Sequence, residues 1–229
     1  MFLLRGLILC LSIFENADLE QAVKWASFEQ ACTAGSRVFV QEKIYDKFLQ
    51  EFEANVKSLK LGDPFSPDTF QGPQVSQVQF DRIMGHIQSG KAEGAKCLLG
   101  GNRFGNEGYF IEPTIFTNVQ PNMKICREEI FGPVIIVNKF KDEDDVVAKA
   151  NDTFYGLAAA IHTRDISRAI KVSKRVKAGM VWVNCYNQAY VQMPFGGYKD
   201  SGIGRECGRY ALATYTEVKA VIINLSDKL

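Results

Sequence analysis

Short, continuous apolar runs alternate with amphipathic stretches along nearly all of this 229-residue chain, and that alternation narrows the folds open to it. The runs lie within the strand-like segments 36–41 (Val38-Phe39-Val40), 97–99, 109–116, 134–137, 157–161 and 180–184. Helical spacing recurs between them. Asn16 can cap a helix that carries Leu19, Ala22, Val23 and Ala26 on one face. Ile44, Phe48, Phe52, Val56 and Leu59 form a second stripe, ending at the stop signal Leu61-Gly-Asp-Pro64. A third helix runs from Gln74 towards Gly94 with Val75, Val78, Ile83 and Ile87 inward, and further helices span 142–151 and 166–177. A strand apolar at every position is buried on both faces, as in parallel sheets. Connections of helix length between such strands are crossovers. The pattern predicts an α/β fold, a mostly parallel sheet with helices on both faces.

An apolar content of 46% against 23% charged residues suits a globular chain with a sizeable core. The net charge of +1, with lysines and arginines scattered, gives no electrostatic footprint for nucleic acid or an anionic membrane. Residues 1–14 form an atypical apolar start with one basic residue, too short to span a bilayer and without a clean cleavage site, so a buried strand is expected there. The main unit is expected over 15–208. In 209–229 a short helix near 209–215 precedes 218–225, whose period-2 pattern predicts a lone terminal strand suited to pairing outside the chain. Cysteines 10, 32, 97, 126, 185 and 207 show no Cys-x-x-Cys and no metal-ligand spacing, so reduced thiols and no metal are expected. His86 falls in a helical pattern and His162 ends a strand pattern, which points to core or surface roles rather than a Cys–His dyad. Asn151-Asp-Thr153 and Asn224-Leu-Ser226 match glycosylation acceptors, relevant only to a secreted chain.

Four stretches carry chemistry. Cys32 sits in Gln30-Ala-Cys-Thr-Ala-Gly-Ser-Arg37. A thiol becomes a strong nucleophile once ionised, but a lone cysteine reads equally as a small buried hydrophobe. Glu128-Glu-Ile-Phe-Gly-Pro133 places carboxylates and an aromatic at a strand entrance, or is a solvated acidic pair. Val181-Trp-Val-Asn184 ends a strand with an amide. Pro194-Phe-Gly-Gly-Tyr-Lys-Asp-Ser-Gly-Ile-Gly-Arg205 is dense in glycines that also serve as turn residues. In a parallel sheet such groups are expected to collect beyond the carboxyl ends of the strands. Gly202-Ile-Gly204-Arg-Glu-Cys-Gly208 has the wrong last spacing for a dinucleotide fingerprint and follows a loop rather than a strand.

Taken in this order, these motifs resemble the NAD(P)-dependent aldehyde dehydrogenase family, from about residue 15 to the end of the chain. The resemblance implies that Cys32 is the thiol that attacks the aldehyde, that hydride then passes to the nicotinamide, and that water hydrolyses the thioester. It implies that Glu129 and Phe131 hold the nicotinamide ribose and that Asn184 supports the active-site region. It further implies NAD or NADP as cofactor, an aldehyde substrate, and a terminal strand that extends a neighbouring subunit's sheet. That subunit would be a second copy or a full-length relative, in the cytoplasm or the mitochondrion.

The sequence also departs from the family. The match begins after the family's nucleotide-binding half. Leu4-Arg-Gly-Leu-Ile-Leu stands where the family has Leu-Glu-Leu-Gly-Gly-Lys, so no carboxylate occupies the position of the general base. The family's oxyanion asparagine lies further upstream, and loss of one such donor costs on the order of 10²–10³ in rate. The approach to the cysteine is shortened to Ser27-Phe-Glu-Gln30, which changes the phase of the entering helix. The expectation is a chain nearly inactive alone as an aldehyde oxidoreductase. The alternatives are a non-catalytic subunit joining full-length relatives and a weak Cys32 esterase.

Overall fold

The computed structural model describes residues 10–27 and 31–225, and the backbone of 3–4. Eleven strands occur among the described residues: β1 (Leu3–Leu4), β2 (Cys10–Ile13), β3 (Arg37–Gln41), β4 (Lys96–Leu99), β5 (Thr114–Thr117), β6 (Val134–Phe140), β7 (Tyr155–Gly156), β8 (Ala158–His162), β9 (Met180–Val183), β10 (Tyr198–Lys199) and β11 (Gly202–Ile203). The helices are α1 (Leu19–Ala26), α2 (Tyr45–Ser58), α3 (Gln77–Ala92), α4 (Lys124–Arg127), α5 (Glu143–Asn151), α6 (Ile166–Arg175) and α7 (Leu212–Tyr215). Seven strands form one sheet in the order β4-β5-β6-β3-β2-β8-β9, in which only the β4–β5 pair is antiparallel. The apolar start thus contributes a buried strand, β2, between β3 and β8.

Alternation along each strand explains why both faces are covered. Leu11, Ile13, Val38, Val40, Ile135 and Val137 pack with Ala22, Val23, Phe48 and Phe52, which places α1 and α2 on one face. The intervening residues turn the other way. Phe116, Val134 and Ile136 meet α3 and α4 through Ile83, Ile87 and Ile125. Cys10, Phe39, Ala159 and Ile161 meet α5 and α6 through Val146, Ala150 and Val172. Parallel strands with two apolar faces are the expected result of continuous apolar runs.

Arg37 opens β3 on the α5/α6 face and is buried. Its guanidinium donates to the carbonyls of Asp152 (3.1 Å) and Ala150 (3.3 Å) at the end of α5, and to Cys10 Sγ (2.9 Å). The last carbonyls of a helix have no helical partner and carry its negative pole, so a buried cation is stabilised there without a carboxylate.

Several expectations change in detail. Asp18, not Asn16, caps α1, accepting from Gln21 N at 3.1 Å, while Asn16 Oδ1 accepts from Thr163 Oγ1 at 2.8 Å. Val75 and Val78 are 90% and 80% exposed: Val75 lies before α3, which starts at Gln77, and Val78 lies off its inner face, which is built on Phe80, Ile83 and Ile87. The run 109–116 is a strand only from Thr114, because Pro113 has no N–H for a ladder. Residues 216–225 join no strand among the described residues, and Val218, Ile222 and Leu225 are fully or almost fully exposed. The period-2 pattern is present there, outside any strand pairing among the described residues.

Candidate active site

Cys32 lies in a turn, 31–33, that leads into β3. Ala34 N donates to Ala31 O (2.9 Å) and Ser36 N to Ala34 O (2.8 Å), so the backbone is locally hydrogen-bonded. Cys32 is half-buried and packs against the core on the α1/α2 face. Thr33 beside it is buried, and its hydroxyl donates to Asn187 Oδ1 at 2.6 Å. The shortened approach at 28–30 lies outside the described residues.

The 128–132 loop enters β6 as the Cys32 turn enters β3, and the two strands are parallel neighbours with Arg37 opposite Ile136. Cys32, Glu129 and Phe131 therefore precede the amino ends of adjacent strands, not the carboxyl ends where the sequence reading expected functional groups. Asn184 alone of the four follows a carboxyl end, that of β9. Glu129 is half-buried, and its carbonyl accepts from Arg82 Nη2 (2.8 Å). The Tyr155 phenol is pushed up by burial and then by nearby carboxylates, Glu129 first among them. Phe131 has φ 56° and is 45% exposed, with its carbonyl held by Gln79 Nε2 (2.8 Å). A left-handed aromatic is unusual. The next residue shows how tight the bend is: a Cβ on Gly132 would lie 2.5 Å from Ile83 Cδ1. Glu128, by contrast, is exposed, with Oε2 3.9 Å from Lys124 Nζ and from His86 Nε2.

Asn184 acts as a clamp. Its Oδ1 accepts from Thr163 N (2.9 Å) and its Nδ2 donates to Thr163 O (2.8 Å), which ties the end of β9 to the turn after β8. At φ 53° it takes a conformation that asparagine tolerates better than most residues. The glycine-dense loop packs closely for structural reasons. Phe195 and Glu206 exchange backbone hydrogen bonds (2.7 and 2.8 Å), and Ser201 Oγ accepts from Gly156 N (2.9 Å). A Cβ on Gly179 would come within 1.8 Å of Gly196 O.

Neither histidine hydrogen-bonds Cys32 among the described residues. His86 is buried in α3, and burial, then Lys124, lowers its pKa. His162, at the end of β8, is fully buried and lowered to about 4 by burial alone. No group of His, Cys, Asp and Glu able to hold a metal occurs among the described residues. Sequence reasoning missed Thr33, Thr163 and Asn187. The asparagines at 184 and 187 were a visible hint of left-handed turns, but nothing in the chain announces partners more than 150 positions apart, as Thr33 and Asn187 are.

The sequence model of the Aldehyde dehydrogenase family matches residues 10–221. The chain belongs to the aldehyde dehydrogenase family. It is 59% identical over 223 residues to an aldehyde dehydrogenase of Agaricus bisporus, covering 95% of this chain and 45% of that protein. It is 50% identical to "Aldehyde dehydrogenase, cytosolic 2" of Macroscelides proboscideus, covering 94% of this chain and 92% of that one. The solved NAD+ complex of an aldehyde dehydrogenase from Bacillus cereus superposes with a TM-score of 0.95 at 44% identity, over 98% of this chain and 47% of that structure. The chain spans about half the length of most of the curated relatives it matches, the Macroscelides protein being an exception. No helix among the described residues is long and apolar enough to cross a membrane.

Proposed function

We propose that this chain is the thiol-bearing catalytic part of an aldehyde dehydrogenase, with Cys32 as the nucleophile. The observation that carries the reading is the placement of the Cys32 turn and the Glu129–Phe131 loop at the amino ends of adjacent parallel strands. In this reading the Cys32 sulfur bonds to the aldehyde carbon, and the oxygen takes up the developing negative charge. Glu129 and Phe131 orient a nicotinamide ribose by hydrogen bonding and contact. NAD or NADP, when bound, supplies the hydride acceptor. Water then releases the carboxylic acid and returns the thiol. Asn184 keeps the end of β9 in place and touches no reacting atom.

The 229 residues themselves contain no dinucleotide fingerprint and no carboxylate at the position of the family's general base. The 229-residue chain, assayed alone with a short aldehyde and NAD, is therefore expected to form no NADH above background, and robust turnover would overturn this. A thiol needs no nicotinamide to be acylated, so the same chain is expected to react slowly with an activated acetate ester. That reaction should disappear in Cys32→Ser; an unchanged acylation rate would remove Cys32 from its role.

The exposed apolar residues of 218–225 favour a second, compatible reading in which this segment pairs with a neighbouring subunit. An exposed alternating segment is a template for strand addition. Co-expression with a full-length relative should give co-elution on size exclusion, and separate elution would refute it. A cytoplasmic location is proposed on the same footing, supported by the cytosolic relative.

A further inference from the structure

We propose that Thr33 and Asn187 are positioning residues for Cys32: the hydrogen bond between them docks the nucleophile's turn onto a platform built by the segment after β9. The inference rests on the reading of Cys32 as the nucleophile.

The platform is held at three points. Asn184 grips Thr163 through both ends of its amide. Trp182 Nε1 donates to Gln188 O at 2.9 Å, which folds the segment back over β9. Tyr186 is 1% exposed and meets the Trp182 ring edge-on, with centroids 5.5 Å apart. Asn184 and Asn187 both sit at positive φ, 53° and 54°, so the segment makes two sharp bends that only such fixed contacts maintain. Among the described residues the Cys32 turn shows no comparable framework of its own. Its backbone bonds are local. Among the described residues the Thr33–Asn187 bond is the one side-chain hydrogen bond from the 31–35 turn to another part of the chain. It is short, at 2.6 Å, and buried at the Thr33 end.

A nucleophile's reach depends on this kind of support, since misplacement by about 1 Å can cost about 10² in rate. Thr33→Val keeps the shape and removes the donor, leaving Asn187 Oδ1 without its partner. Thr33→Ser keeps the donor. Asn187→Ala removes the acceptor. If the tie positions the turn, Val and Ala should act alike, Ser should act as wild type, and the double variant should be no worse than either single one, because one bond is broken only once.

The test reads hydrogen exchange at the Ala34 and Ser36 amides together with the rate at which iodoacetamide alkylates Cys32, resolved by peptide, with Cys207 as an exposed reference thiol. Thr33→Val and Asn187→Ala are each expected to speed exchange at the two amides about tenfold, the equivalent of one hydrogen bond. Alkylation of half-buried Cys32 should speed by a similar factor while Cys207 and the α2 amides stay unchanged. The proposal is overturned if Thr33→Val leaves exchange and alkylation at wild-type values, if Thr33→Ser behaves like Thr33→Val, if the two single effects multiply, or if exchange rises throughout the chain. None of these outcomes depends on ester acylation, so the positioning role and the nucleophile assignment can fail separately.

Discussion

His162 should make the fold acid-labile in a window of its own. The imidazole ends β8 with none of its surface exposed, neither ring nitrogen finds a protein partner, and burial lowers its pKa from 6.5 to about 4. The unfolded chain binds the proton near pH 6.5 and the folded chain does not, so the stability is complete above that value. It drains away as the pH falls towards 4. The full difference is worth about 3 kcal/mol, and the part lost between pH 7 and pH 5 is about 2 kcal/mol. Asp18, Glu143 and Asp145 do not confuse this interval. The pKa values of Asp18, Glu143 and Asp145 are lowered, chiefly by their hydrogen-bond partners once burial is set aside, so their contribution is lost only below the ordinary carboxylate range. His86 is also lowered and adds to the slope, so a variant is needed to isolate His162. His162→Leu fills a similar volume and abandons no protein hydrogen bond of the ring, so at pH 7.5 it should lie within about 1 kcal/mol of wild type. Urea denaturation of both proteins at pH 7 and pH 5 is the assay. Wild type should lose about 2 kcal/mol more than the variant over that interval. Equal losses would show that the buried imidazole is not held neutral, and the reasoning would fail.

Other perturbations test other parts of the fold. Gly179→Ala puts a methyl 1.8 Å from Gly196 O, a backbone atom that cannot swing aside, and should cost more than about 2 kcal/mol in urea unfolding. Phe48→Ala empties a fully buried site stacked on Phe52 (5.3 Å between centroids), and calorimetry should show a loss of about 3–5 kcal/mol. Arg37→Met leaves the Ala150 and Asp152 carbonyls without the guanidinium and should cost about 2–4 kcal/mol, with exchange at the end of α5 rising first. Asp165→Ala removes the cap of α6, which accepts from Arg168 N at 3.0 Å, and should cost about 1 kcal/mol.

The parallel sheet was legible in the chain because its cause is local. A strand such as 134–137 is apolar at every position, and its two faces turned out to belong to two different helix layers. The helix ends were read less well. Asn16 and Asp18 are both good caps, and only Asp18 is in place to accept from Gln21, while Asn16 is drawn off by Thr163 in the turn after β8. Val75 and Val78 fit a helical stripe by spacing alone, yet Val75 precedes α3 and Val78, in its first turn, faces away from the buried side. In each case a long-range contact or an element boundary overrode a correct local preference.

The site divides along the same line. Cys32, Glu129, Phe131 and Asn184 are proposed because motif and residue type travel together in sequence. Their placement at opposite ends of strands was not foreseen, because the carboxyl-end rule describes ligands bound by the connections that leave a parallel sheet. Here the Cys32 and Glu129 segments are the ones entering it. Segments that enter strands cannot rely on the strand they follow for support and must be fixed from the side. That accords with a threonine beside the proposed nucleophile, unremarkable in sequence, being buried and bound to an asparagine 154 positions away. The residues proposed for the chemistry are legible from their types, whereas those proposed to aim them are legible only from the fold.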